Sequence, residues 1–120
     1  MSKLLTKDDI LQAQDLPTER VSVPEWGGEV IVRGLTGAER DKFEASIVVR
    51  KGDKTDFNPE NMRAKLVALC VVDEQGNRLF ADEDVKLLGK KSAAALDRIF
   101  QIAQRLSGLN PSAVEEMAKN

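Results

Sequence analysis

Hydrophobic positions recur at two different periods along this chain, and the change of period marks out its elements. From Arg20 to Arg33 the period is two. Val21 and Val23 share one face of an extended segment, and Val30 and Val32 share one face of the next. Between them lies Glu25-Trp26-Gly27-Gly28, whose glycines supply the positive φ angles of a tight turn. The pattern predicts one antiparallel hairpin over about residues 18–34. Pro24 has no N–H to give to a ladder, so the first strand is an edge there, or its pairing stops there.

Elsewhere the period is helical. A short helix is expected from Lys7 to about Gln14, capped by Thr6, with Asp8 and Asp9 suiting the dipole of its first turn and Leu16-Pro17 ending it. Thr36-Gly37-Ala38-Glu39 is a capping box, and a helix runs from Gly37 to about Arg50 with Phe43 and Ile47 on one stripe. Residues 51–57 are polar and aperiodic and read as a mobile loop. Asn58-Pro59 has the signature of a cap followed by proline at the first helical position. Beyond it Met62, Leu66, Leu69 and Cys70 share a face, and Ala64 to Val72 is apolar almost all round, as the central helix of a core would be.

Asp73–Asn77 is a turn and Arg78-Leu79-Phe80 a short extended piece. Asp82 caps a short helix from Glu83 to Leu88, closed by Gly89 in the left-handed region. The longest helix opens at Lys90 or Ser92 and reaches Leu106, with Leu96, Ile99, Phe100 and Ala103 lining one side and Gly108 ending it. Asn110-Pro111 opens a last helix whose apolar residues are Ala113, Val114 and Met117. The sum is an α+β fold: a mostly helical single domain over residues 1–120 with one N-terminal antiparallel β-hairpin.

Composition narrows the chemistry. The chain has 120 residues, 42% of them apolar and 32% charged, and a formal net charge of -2. Lys and Arg are dispersed, so no basic stripe marks a nucleic-acid partner. No apolar run approaches the ~20 residues needed to cross a membrane, and no membrane partner is expected. The N-terminus lacks the apolar core of a signal peptide, which makes the cytoplasm the default compartment.

With one cysteine, Cys70, no intramolecular disulfide forms, and its place in the run Leu66–Val72 reads as a small buried hydrophobe. There is no histidine, which excludes histidine-based triads and histidine-ligated metals. Asp82-Glu83-Asp84 is explained by solvent and the start of a helix. Gly27-Gly28 and Gly34 fit neither a dinucleotide fingerprint nor a P-loop. Asp73–Asp84 has the length of a calcium loop, but its glycine and its closing acid are misplaced. No catalytic residue, metal or cofactor is expected, and the chain does not read as an enzyme. Trp26, at the hairpin tip, reads either as core packing or as a partner contact, since aromatic residues are enriched at interface hot spots. Val114 and Met117 are further candidate partner contacts.

The order of these features resembles the tail assembly chaperones of long-tailed bacteriophages and prophages. The residues that carry it are Asp9-Ile10-Leu11, then Val21-Ser22-Val23-Pro24-Glu25-Trp26-Gly27-Gly28 and Val30–Arg40. Ala68–Asp73, Arg78-Leu79-Phe80 and Ala95–Phe100 follow, so the similarity runs from about residue 8 to the end. The resemblance implies a non-enzymatic protein of the host cytoplasm, absent from the finished virion. Its partners would be the tape measure protein, the tail tube protein, further copies of itself in a homo-oligomer, and an extended form of itself. Such extended forms arise by a −1 ribosomal frameshift. The terminus Ala118-Lys119-Asn120 is compatible with a slippery A-AAA-AAC, which places the expected shift at Lys119 and Asn120. Two other readings stay open: a virion structural component, such as a head–tail connector or tail-completion protein, and a small nucleic-acid-binding regulator.

Overall fold

A computed structural model describes residues 2–58 and 60–109. In chain order it contains helix α1 (Lys7–Gln12), strands β1 (Thr18–Val23) and β2 (Gly28–Arg33), helix α2 (Gly37–Ile47), and strands β3 (Val48–Lys51) and β4 (Lys54–Phe57). Helix α3 (Met62–Cys70), strand β5 (Val71–Val72), helix α4 (Val85–Leu88) and helix α5 (Ala93–Leu106) follow. The class is α+β, as the residue pattern indicates.

The hairpin forms where alternation places it. β1 and β2 pair antiparallel from Thr18↔Arg33 to Val23↔Gly28. Its turn is a 3₁₀ turn over Pro24–Trp26, closed by Gly27 at φ 77°, while Gly28 is already in the strand. β1 is an edge, in keeping with Pro24 at its end. The other flank of β2 is covered by β5, in the order β1-β2-β5.

β5 corrects one expectation. Val71 and Val72 leave the helix and pair with Val32 and Ile31. Two adjacent β-branched residues lose rotamer freedom against a preceding helical turn but suit a pleated sheet. The turn beyond them is built on Asp73, whose carboxylate accepts from the N–H groups of Gln75 and Asn77.

A second correction concerns the polar stretch 51–57. It is not a loop but half of a hairpin, β3–β4, in register from Val48↔Phe57 to Lys51↔Lys54. The two residues between the strands are Gly52-Asp53, with Gly52 at φ 63°. Helix α2 accordingly stops at Ile47 instead of Arg50, where Ile47-Val48-Val49 puts three β-branched residues in a row.

Smaller differences have equally local causes. α1 ends at Gln12, two residues short of Gln14, with Ala13 already extended. α3 starts at Met62, later than the Asn58-Pro59 signature suggests. The Asn58 side chain accepts from the Glu60 N–H, which makes a local turn. Asn61, at φ 57°, then stands immediately before the helix. Asp82 opens a 3₁₀ turn over Asp82–Asp84, and α4 is only Val85–Leu88. Gly89 has φ -61°, so it is not the left-handed closure expected; a Cβ there would fall on the Asn61 side-chain oxygen and make that side chain move. The expected helix from Asn110, with Val114 and Met117, and the terminal Lys119 and Asn120 lie outside the described residues.

α3 is the centre of the core. Ala64 and every residue from Leu66 to Cys70 are buried, with α5, α2 and α4 packed on the helix. α5 presents Ala95, Leu96, Ile99, Phe100 and Ala103 inward, as its periodicity predicts. Phe43 and Ile47 close the α2 side. Its Thr36–Glu39 capping box is present, with Thr36 Oγ accepting from the Glu39 N–H at 3.1 Å and the Glu39 carboxylate accepting from the Thr36 N–H at 3.0 Å.

The end of β2 is where these layers meet most closely. A Cβ on Gly34 would lie 2.6 Å from the Leu106 carbonyl oxygen and 3.3 Å from Pro17 Cδ. Both neighbours are backbone or ring atoms without a rotamer to change. Gly34→Ala is therefore expected to destabilise the fold by roughly 1–3 kcal/mol, the usual range for overpacking. Denaturant unfolding checks it, and a midpoint equal to that of the wild type would refute the close packing.

Candidate interaction surfaces

Three ion pairs lash the exposed side of α5 to its neighbours. The Arg98 guanidinium donates to both carboxylate oxygens of Glu25, at 2.8 and 2.9 Å. Arg105 does the same to Glu19, at 2.8 and 2.9 Å. Arg63 on α3 donates to Asp97 at 2.9 Å and stacks over the Phe100 ring. The first two hold the hairpin against the helix. The Arg98–Glu25 pair uses two nitrogens on two oxygens, the bidentate geometry in which an Arg–carboxylate contact is strongest, whereas Arg105 spans both Glu19 oxygens from Nη2 alone.

Trp26 sits on the turn that Glu25 anchors. It is half-buried and packs against the core cluster. Its indole thus supports the hairpin on one side and meets solvent on the other. Of the candidate contacts named from the sequence, it is the one among the described residues; Val114 and Met117 cannot be placed beside it. Cys70 is buried, and desolvation pushes its thiol up to about 12, so it stays a protonated hydrophobe.

A second surface feature lies beside α3. α2, α3 and the segment 82–86 enclose a cavity of about 470 Å³. Phe43, Leu69 and Val85 form its apolar lining. Charged groups of both signs ring it: Lys42, Lys65 and Lys86 against Glu60, Asp82 and Glu83. Lys42 is paired with Asp82, which also accepts from Arg78 at 3.1 Å, and these two cations hold the Asp82 carboxyl below its ordinary range. Lys65 Nζ donates to the Ser46 carbonyl at 2.9 Å. An apolar slot with a rim of mixed charge is suited to the ridge of an amphipathic helix. Sequence reasoning assigned Phe43 and Leu69 to the core and missed the slot. Its walls come from segments that meet only in the tertiary fold, and no local signal marks it.

Among the described residues there is no cluster of His, Cys, Asp and Glu that could hold a metal ion. None of their helices is long and apolar enough to cross a membrane.

Residues 10–120 match the sequence family described as phage tail assembly chaperone. The chain belongs to that family. Among solved structures two chains match, one of them the tail assembly chaperone of bacteriophage HK97. That likeness has a TM-score of 0.59 at 16% identity and covers 82% of this chain and 94% of the other. At that identity it bears on the fold alone. No curated protein matches significantly.

In this family member the hairpin tip is open to a direct test. The Arg98 guanidinium holds the Glu25 carboxyl down from an ordinary 4.5 to about 2. A carboxylate depressed by folding stabilises above its unfolded value and loses that contribution as pH falls through the folded one. The anchor is whole above about pH 4.5 and is lost on descent to about 2. Trp26, the sole tryptophan, reports on it. Its fluorescence is expected to move to longer wavelength across that window, and Arg98→Ala to show the shifted emission already at neutral pH. Identical acid titrations for the two proteins would refute the anchor.

Proposed function

We propose that this protein binds the tape measure protein of a long-tailed phage and keeps it soluble until tail tube subunits assemble around it. A tape measure exposes long apolar helical stripes, and such surfaces aggregate when left uncovered. The observation that carries the reading is the slot between α2, α3 and residues 82–86, with Phe43, Leu69 and Val85 inside and lysines and acids at its mouth. An apolar ridge enters it, and the mixed rim accommodates the polar flanks of the same helix. Membership of the tail assembly chaperone family supports the role. The protein acts without catalysis, in the host cytoplasm, and leaves before the virion is complete. Several copies on one client turn modest single contacts into firm retention.

Co-expression with the tape measure protein tests this. Soluble client is expected to rise with the wild-type protein and to fall back with Val85→Glu, which puts a charge inside the slot at a half-buried position. Trp26→Ala serves as the contrast. It removes packing and is expected to cost roughly 1–3 kcal/mol, less than a fully buried aromatic, with client solubility retained wherever the variant remains folded. A client equally soluble with Val85→Glu, or insoluble with the wild type, would reject the slot as its site.

A further inference from the structure

Helix α4 separates two surfaces. Val85 and Lys86 line the slot on one side of it. On the other, Leu79, Phe80, Asp84, Leu87, Leu88 and Lys91 enclose a cleft of about 320 Å³. Leu88 is buried and ties α4 to the core, but Leu79 and Leu87 are 53% and 62% exposed. With 4 residues, α4 is little more than one turn, too short to hold in water unaided. It is braced on one side and bare on the other.

The charge around the cleft is one-sided. Lys86, Lys90 and Lys91 are exposed and have no ion-pair partner among the described residues. The acids nearby are committed: Asp82 is paired with Lys42 and Arg78, and the Asp84 carboxylate accepts from the Ala81 N–H at 2.8 Å. Glu83 lines the slot, on the far side of α4. An apolar cleft with unmatched lysines at its end suits an apolar segment that carries acids.

Residues 110–120, directly after the described chain, have that character. Val114 and Met117 fall at i and i+3, with Glu115-Glu116 between them. The chain also arrives close by. Leu109 is buried just past the end of α5, and the Ser107 hydroxyl lies beside Cys70. Leu79 donates its N–H to the carbonyl of Val71, the residue after Cys70, at 3.1 Å. The lysine end of the cleft lies just before α5, whose 14 residues measure about 21 Å. From Leu109 an extended chain reaches ~17 Å by Val114 and ~24 Å by Glu116.

We infer that residues 110–120 turn back along their own subunit and seat in this cleft, with Val114 and Met117 on Leu79 and Leu87 and Glu115-Glu116 toward Lys90 and Lys91. The seated segment braces α4 from the side opposite the slot. The contact lies within one chain, needs neither a client nor a second copy, and is independent of the slot reading.

A disulfide trap in the full chain tests it. Cys70 is buried and stays a protonated thiol, so it does not compete. Leu87→Cys with Met117→Cys is oxidised over a dilution series, and the products are separated on a non-reducing gel and identified by mass. An intrachain bond is expected, in a yield that does not change with dilution. Gln101→Cys with Met117→Cys is the control, since Gln101 lies on the exposed side of α5 and nearer its end; slow, poor bonding is expected there. Lys90→Glu/Lys91→Glu is expected to lower the yield at position 87 several-fold, and Glu115→Lys/Glu116→Lys added to it to restore the yield. The positions altered at the cleft and on α5 are exposed, so circular dichroism is expected to stay that of the wild type. Three results overturn the inference: equal yields at positions 87 and 101, as for a segment that seats nowhere; bonds formed only between chains; and a yield indifferent to the charge reversal.

Discussion

A helix whose C-terminal half is wholly buried dictates the layout of this protein. Leu66 to Val72 is an unbroken buried run. Each large apolar side chain taken fully from water contributes about 1.5–3 kcal/mol. Five such residues, Leu66, Val67, Leu69, Val71 and Val72, sum to roughly 10 kcal/mol, which is comparable to the net stability of a whole domain at ~5–15 kcal/mol. A helix with one apolar stripe needs one partner. A helix apolar over most of its surface needs a shell, and α5, α2, α4 and the turn before α4 supply it, with the β1-β2-β5 sheet packed on α5. The β-branched pair at the end of the same run then joins the sheet as its third strand, so one stretch of sequence serves both layers.

The polar contacts that orient this shell lie at its seams. Arg33, at the end of β2, donates to both Glu39 oxygens at 2.6 and 2.8 Å. Glu39 is also the acid of the α2 capping box. Both side chains are less than a fifth exposed, so the pair is well desolvated, yet its remaining hydrogen-bonding capacity is met locally. Arg33 Nε reaches the Gly34 carbonyl, and Ser107 Oγ accepts from the Leu35 N–H at 2.9 Å. Strand end, helix start and the far end of α5 are thereby tied within three consecutive residues. Gly34 sits among them because no side chain fits against the Leu106 carbonyl.

The elements legible in the sequence are those whose signal is local. Val21, Val23, Val30 and Val32 alternate, and their hairpin forms as expected. Thr36 with Glu39, and Ser92 with the Leu96–Phe100 stripe, announce α2 and α5, and both caps are present. β3–β4 was hidden because hydrophobic alternation fails across Lys51–Asp56. Its surviving mark was Gly52-Asp53, a two-residue turn whose first residue takes a positive φ. Val71 and Val72 were hidden for the opposite reason, since a continuous apolar run has no period to separate helix from strand. The slot was illegible altogether. Phe43, Leu69 and Val85 are far apart in the chain, and only the docking of α4 against α2 and α3 turns them into one surface.

The proposed role sets a constraint of its own, because a chaperone for assembly has to let go. A slot of about 470 Å³ with a charged mouth suits contacts of modest strength. At millimolar affinity a single site contributes about 4 kcal/mol, which is too little to hold a client alone. Copies linked to one another raise retention by 10²–10⁴ without strengthening any contact. On the proposed role, retention would depend on how many copies line one client, and release would need no unfolding of the core around α3.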